Sequence, residues 1–256
     1  SQAPRHAGPP RNRATPPGRH AEPSERAQPR RARRWHAVGE ISDTPLIPDR
    51  PTLIPDRPTP YCRTVRFPLS ERHPMATTVF VFHPNFAAST VNARLAAEAE
   101  KQDGVTVRRL YDLYPDFRID VAAEQAALTA SDRIVLQFPM YWYSCPPLLK
   151  KWEDDVLTYG WAYGPTGDAL HGKEMVVAVS PGAPGAAYRR DGAAKYEVTE
   201  LLRPFQATSN LIGTTFAKPF VTAGAVSMSA AELDARAAAY AAYITSDSLE
   251  PLGDYE

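Results

Sequence analysis

From residue 75 onward the chain alternates short apolar runs, rich in β-branched residues, with longer stretches whose apolar positions recur at helical spacing. The runs at 79–82, 105–110, 134–138, 175–179 and 214–220 predict strands. The stretches 90–102, 121–129, 147–158, 196–209 and 230–244 predict helices. Five such βα units predict an α/β three-layer sandwich, with a five-stranded parallel sheet covered by helices on both faces. Right-handed crossovers leave few topologies for it, and the order 2-1-3-4-5 is the one expected. In such sheets ligands sit beyond the carboxyl ends of the strands near the switch point. Attention therefore falls on the loops after Phe82, Phe138 and Val179.

Residues 1–74 show no such alternation. They hold 15 of the 26 prolines and 14 arginines against 7 acidic residues, a formal charge of +7 that leaves −7 for residues 75–256. The overall charge of zero is thus a cancellation between two unlike pieces. Missing backbone donors, dense positive charge and few large apolar groups predict a disordered extension. Within it, Leu46-Ile47-Pro48-Asp49-Arg50-Pro51-Thr52 is repeated at once as residues 53–59, a unit too short for a solenoid. A basic arm for nucleic acid or an acidic surface is the functional alternative, but no aromatic interleaving suggests base stacking. Because Met75 immediately precedes the first strand pattern, the expectation is that the natural chain starts there.

Two cysteines, Cys62 and Cys145, imply no disulfide framework, and no apolar run approaches the ~20 residues that cross a bilayer. These features predict a cytoplasmic protein. The scattered histidines and distant cysteines suggest no metal centre.

Three loops carry candidate chemistry. The first, residues 83–92, places Ser89, Thr90 and Asn92 at the start of a helix, where free N–H groups and the dipole favour an anion such as phosphate. An ordinary helix cap explains the same residues, and His83 either meets a ligand or braces the loop. The second loop, Phe138-Pro139-Met140-Tyr141-Trp142-Tyr143-Ser144-Cys145-Pro146-Pro147, sets three consecutive aromatics between prolines. Neighbouring side chains there point different ways, so at least one ring is expected to face a ligand or a second subunit. Backbone N–H groups of this loop suit the polar edge of a flat ring system, and aromatic rings suit its face. A further cluster, Gly160-Trp161-Ala162-Tyr163-Gly164, follows the next helix. The third loop, residues 180–188, is rich in glycine and ends on Tyr188, a phenolic donor suited to a developing anion.

Residues 138–164, together with Asp168-Ala169-Leu170-His171-Gly172-Lys173, resemble the flavodoxin-like NAD(P)H:quinone reductases. That family includes the bacterial modulators of drug activity and the ancillary oxidoreductases of glutathione-gated potassium efflux. The resemblance covers residues 77–226 and none of residues 1–74. It implies a flavin held near its phosphate by His83, Thr90, Val91 and Asn92. It further implies that Pro139, Met140, Tyr141, Trp142 and Tyr143 contact the isoalloxazine, while Ser180, Pro181 and Gly182 close over its pyrimidine end. Tyr163 would line the substrate pocket across a homodimer interface, and Tyr188 would lie near flavin O2. These two tyrosines are the catalytic candidates. Relatives often begin the third loop with two threonines and two glycines, and mammalian members carry a histidine where this chain has Ala194.

The resemblance implies two-electron reduction of quinones by NAD(P)H through one shared flavin site, with exchange of the two substrates. FMN makes the smaller demand on the first loop, with FAD as the alternative. Two rivals remain at this stage: a regulatory ancillary subunit bound at the inner face of the membrane to a potassium efflux antiporter, and a flavodoxin-like electron carrier.

Overall fold

The computed structural model describes residues 75–254. The Arg- and Pro-rich stretch 1–74 lies outside the described residues, and so do the expectations attached to it. The elements are β1 (Thr77–Val81), a 3-10 turn (Phe86–Ala88), α1 (Val91–Ala99), β2 (Val105–Arg109), α2 (Leu110–Leu113) and α3 (Val121–Thr129). They continue as β3 (Arg133–Pro139), α4 (Pro147–Val156), β4 (Glu174–Ser180), a 3-10 turn (Gly185–Ala187), α5 (Val198–Leu201) and α6 (Arg203–Leu211). Last come β5 (Thr215–Phe216), β6 (Phe220–Val221) and α7 (Ala230–Ile244).

The parallel sheet runs β2-β1-β3-β4-β5, the order expected, and β6 also pairs with β4. Its strands alternate between two apolar layers, as the two-residue period of a strand requires. Phe80, Phe82, Leu136, Phe138 and Val177 face one layer, with Trp152 of α4 and Phe205 of α6. Val79, Val81, Val135 and Val176 face the other, with Leu95 of α1 and Tyr240 of α7. Among the described residues no helix is long and apolar enough to cross a membrane.

Two expected elements are broken, each for a local reason. The single strand expected over 214–220 is two short pieces, because Phe216 pairs with Met175 but Phe220 pairs with Ala178. One extra residue on the edge strand makes a bulge. Pro219 brings no N–H to the ladder, and Lys218 N–H turns outward to the carbonyl of Glu250 at 2.8 Å. The helix expected over 196–209 breaks at Leu202, which caps both α5 and α6. Pro204 sits in the first turn of α6, where its missing N–H costs nothing but a continuous helix would clash with its ring.

Candidate active site

A cleft of about 280 Å³ opens at the carboxyl ends of β1, β3 and β4. Its lining takes His83, Thr90, Val91 and Asn92 from the first loop, Pro139, Met140 and Tyr141 from the second, and Ser180 and Gly182 from the third. These nine residues, separated by up to about a hundred positions, are brought together by the switch in strand order between β1 and β3.

At one end stands the start of α1. Its N-cap, Thr90, makes no side-chain cap bond, the Ser89 hydroxyl accepts only the Ala93 N–H at 3.4 Å, and no acidic residue lies in the first turn. The first N–H groups of a helix have no partners within it, so this end presents donors and the positive end of the dipole to the cleft. His83 adds to this. Its Nδ1 accepts from the Asn85 N–H at 3.2 Å, which leaves Nε2 to carry the proton of a neutral ring. Burial pushes the imidazole below its usual pKa, so it is neutral at neutral pH. Among the described residues no Asp or Glu lines the cleft. The loop between is pinned by the Arg109 guanidinium, 4.6 Å from the centre of the Phe86 ring.

Asn92 faces inward as well as toward the cleft. Its side-chain N–H donates to the Ser180 hydroxyl at 2.8 Å, and its backbone carbonyl accepts from Gln137 Nε2 at 2.8 Å. The Tyr240 hydroxyl in turn donates to Gln137 Oε1 at 3.0 Å. All four side chains are buried. The chain of bonds ties α7, β3, α1 and the end of β4 together directly behind the cleft.

The second loop is a two-residue turn. Tyr141 and Ser144 exchange backbone hydrogen bonds of 3.1 and 2.9 Å, and the two residues between them, Trp142 and Tyr143, have φ of 47° and 62°. This is the pattern of a type I′ turn, normally built from Asn-Gly or Gly-Gly. Two aromatic residues in the left-handed region cost of order 1 kcal/mol each, and such strain clusters at functional sites. Trp142 is 94 % exposed at the tip, so burial within this chain does not explain it. The Met140 and Tyr141 N–H groups bond to Ser180 and Ser144, so the donors left for a ligand are those of Trp142 and Tyr143.

Pro181 is buried, and its carbonyl holds the Ala225 N–H at 3.2 Å, so it braces the third loop without lining the cleft. That bond brings in a wall the sequence reading missed: Ala225 and Val226, beyond β6. Gly182 permits the approach, since a Cβ there would stand 3.3 Å from Val226 Cγ2. The only signal in the sequence was the position of these residues after the last strand of a sheet whose carboxyl edge binds ligands.

Neither catalytic candidate lines this cleft. Tyr163 packs edge-on to Tyr159 at 5.7 Å in a tight loop, where a side chain on Gly167 would collide with the Tyr163 backbone at 2.2 Å. Tyr188 ends the second 3-10 turn, half-buried against the core, and burial together with the nearby Tyr143 raises its pKa.

A family model described by its flavodoxin-like fold matches residues 75–244. The chain belongs to this flavodoxin-like family. General stress protein 14 of Bacillus subtilis is 52 % identical over 170 residues, 66 % of this chain and 97 % of that protein. The uncharacterized NAD(P)H oxidoreductase YrkL of the same organism is 49 % identical over 155 residues, 60 % of this chain and 89 % of that protein. Three crystal structures are also similar. One, described as a thermophilic tryptophan halogenase from Streptomycin violaceusniger, is 51 % identical with a TM-score of 0.66, covering 67 % of this chain and 99 % of that one. General stress protein 14 of Treponema denticola, in complex with FMN, is 44 % identical with a TM-score of 0.62, covering 66 % and 97 %. An NADPH-quinone reductase from P. pentosaceus is 33 % identical with a TM-score of 0.62, covering 68 % and 99 %.

Proposed function

We propose that the cleft holds FMN and that the protein passes two electrons from NAD(P)H to a quinone. The observation that carries this reading is the cleft itself: the start of α1 and a neutral imidazole at one end, a strained aromatic turn at the other and, among the described residues, no carboxylate between. The FMN complex of a 44 % identical relative and the names of the oxidoreductase relatives support it.

The residues fit the group part by part. The N–H groups at the start of α1, with His83 Nε2–H, would hold the phosphate. The ring would lie against Pro139, Met140 and Tyr141, with the free N–H groups of Trp142 and Tyr143 at its polar edge. Ser180 and Gly182 would close over its pyrimidine end. Bound FMN would supply a flat two-electron carrier that takes hydride from a nicotinamide and delivers reducing equivalents to a quinone.

The chain's own tasks are to stack each substrate flat, exclude water and offer donors to developing negative charge. Tyr188, held protonated by burial, is a neutral donor beside the turn. Tyr141, Trp142, Tyr143 and Tyr159 are all exposed, a set of rings suited to a second copy of the chain. In that homodimer Tyr163 would serve the partner's site. One open cleft serving both substrates requires the oxidised dinucleotide to leave before the quinone enters.

Steady-state turnover of the purified full chain with FMN, NADH or NADPH and a simple quinone tests this. Parallel double-reciprocal lines are expected. Intersecting lines would overturn the shared-site exchange, and a rate no greater than free FMN gives would overturn the activity. Formation of halotryptophan from tryptophan and halide would favour the activity under which the 51 % identical chain is described.

A further inference from the structure

At the base of the aromatic turn lies a second and more enclosed chamber of about 130 Å³. It is lined by Ser144 and Cys145 from the base of the turn, Lys150 and Glu153 from α4, and Phe205 and Thr208 from α6. The Glu153 side chain is 8 % exposed, and its Oε1 is buried without a hydrogen-bond partner. Its other oxygen, Oε2, lies 3.7 Å from Lys150 Nζ, and the Lys150 side chain is 63 % exposed. A carboxyl group in this state is not a structural asset. The proposed reaction has no use for it so far, and an apolar side chain would fill the space at lower cost.

One four-residue turn borders both the chamber and the cleft. Tyr141 begins it and lines the cleft, while Ser144 ends it and lines the chamber. The chamber has room for about four waters at ~30 Å³ each, and its hydroxyl, thiol and carboxyl groups supply the partners that buried water needs.

We propose that Glu153 and this chamber are the proton store of the cleft, feeding protons past the aromatic turn to the quinone oxygen as it becomes a hydroquinone oxygen. The inference rests on the NAD(P)H:quinone reading above. The balance is one proton per turnover: NAD(P)H, a quinone and H⁺ give NAD(P)⁺ and a hydroquinone. Hydride carries two electrons and one proton, so the second proton must come from solvent or a side chain. Glu153 releases it and regains it from solvent beside the exposed Lys150. Burial pushes the Glu153 carboxyl up to about 7, with Lys150 pulling it back and Asp154 adding to the rise, which suits a donor at neutral pH. Besides these, Cys145 is the titratable group that feels Glu153 from the turn, and burial holds it as the thiol. Pro204, Phe205 and Thr208 of α6 contribute no charge to the chamber.

Glu153→Gln and Glu153→Asp in the full chain test the assignment through the two half-reactions, followed separately by rapid mixing. With Glu153→Gln, reduction by NAD(P)H is expected to keep its rate, while reoxidation by quinone slows by about ten-fold or more and loses its titration near neutral pH. Glu153→Asp is expected to restore part of both. In the flavin-free protein, infrared spectra should show a protonated carboxyl that titrates near neutral pH and is missing from Glu153→Gln. Equal slowing of both half-reactions would mean a packing role only. An unchanged quinone half-reaction, or a Glu153 already ionised well below neutral pH, would also overturn the proposal. Failure of NAD(P)H to reduce bound flavin in the unaltered protein would instead overturn the underlying function and leave the infrared result standing.

Discussion

The Asn92 side-chain amide donates to the Ser180 hydroxyl across 2.8 Å, joining the first turn of α1 to the last residue of β4. Both residues line the cleft, and both are almost fully buried. The bond therefore sets the distance between the proposed phosphate end and the proposed pyrimidine end.

Asn92→Ala is expected to cost about 1–3 kcal/mol of stability, because the Ser180 hydroxyl loses its donor and the space behind it opens. A double-mutant cycle with Ser180→Ala, read by urea unfolding, should give a coupling of about 1 kcal/mol. FMN affinity should fall with Asn92→Ala. Strictly additive losses would show that the bond carries no energy.

At the aromatic turn the account predicts that stability and function oppose one another. Replacing Trp142 by Asn and Tyr143 by Gly supplies residues that accept positive φ. Unfolding stability should rise by about 1–3 kcal/mol, while turnover with NAD(P)H falls. A variant that gains stability with turnover intact would mean the rings have no role in the cleft.

His83 predicts a pH dependence for flavin binding. Burial lowers its pKa in the free protein, and a phosphate dianion beside it favours the imidazolium and raises it. Binding then takes up a proton, so affinity should strengthen as pH falls through the raised pKa and level off below the free one. Because the phosphate itself titrates, the comparison is with His83→Asn, which should bind more weakly and lack this part of the pH response. Fluorescence titrations of FMN at several pH values give the answer, and parallel pH curves for the two proteins would count against contact.

Glu153 predicts a pH dependence for folding with the opposite sign to an ordinary salt-bridged acid. Its folded pKa of about 7 lies above the reference value of 4.5. Below both values the group costs nothing. As pH rises from the lower to the upper value the unfolded state sheds the proton first, and a penalty builds to at most about 3 kcal/mol, at ~1.4 kcal/mol per unit. Glu153→Gln should therefore gain stability relative to the unaltered protein between acid and mildly alkaline pH, as measured by denaturant unfolding. A constant difference across that range would contradict the buried acid.

The sheet order and most helices were legible because apolar runs and helical spacing report burial directly, as in Val79–Phe82 alternating between the two layers. The bulge at residues 217–219 was not, since it depends on Lys218 finding the distant Glu250 carbonyl. Nine cleft residues followed from the loops that the topology selects. Pro181 does not line the cleft, because its carbonyl is committed to Ala225, whereas a proline beside a glycine reads as an open loop. Glu153 escaped notice because its charge sits on an amphipathic helix among Lys151, Asp154 and Asp155, and only its burial beside the chamber it shares with Phe205 distinguishes it from them.

A flavin held in this cleft should be reduced by NAD(P)H and reoxidised by a quinone. The most direct measurement is the visible spectrum of the full chain titrated with FMN under anaerobic conditions, then given NAD(P)H and afterwards a quinone. Saturable one-to-one binding, bleaching by NAD(P)H and full recovery on adding quinone are predicted. A spectrum that stays that of free FMN, with no binding at micromolar protein, would contradict the account.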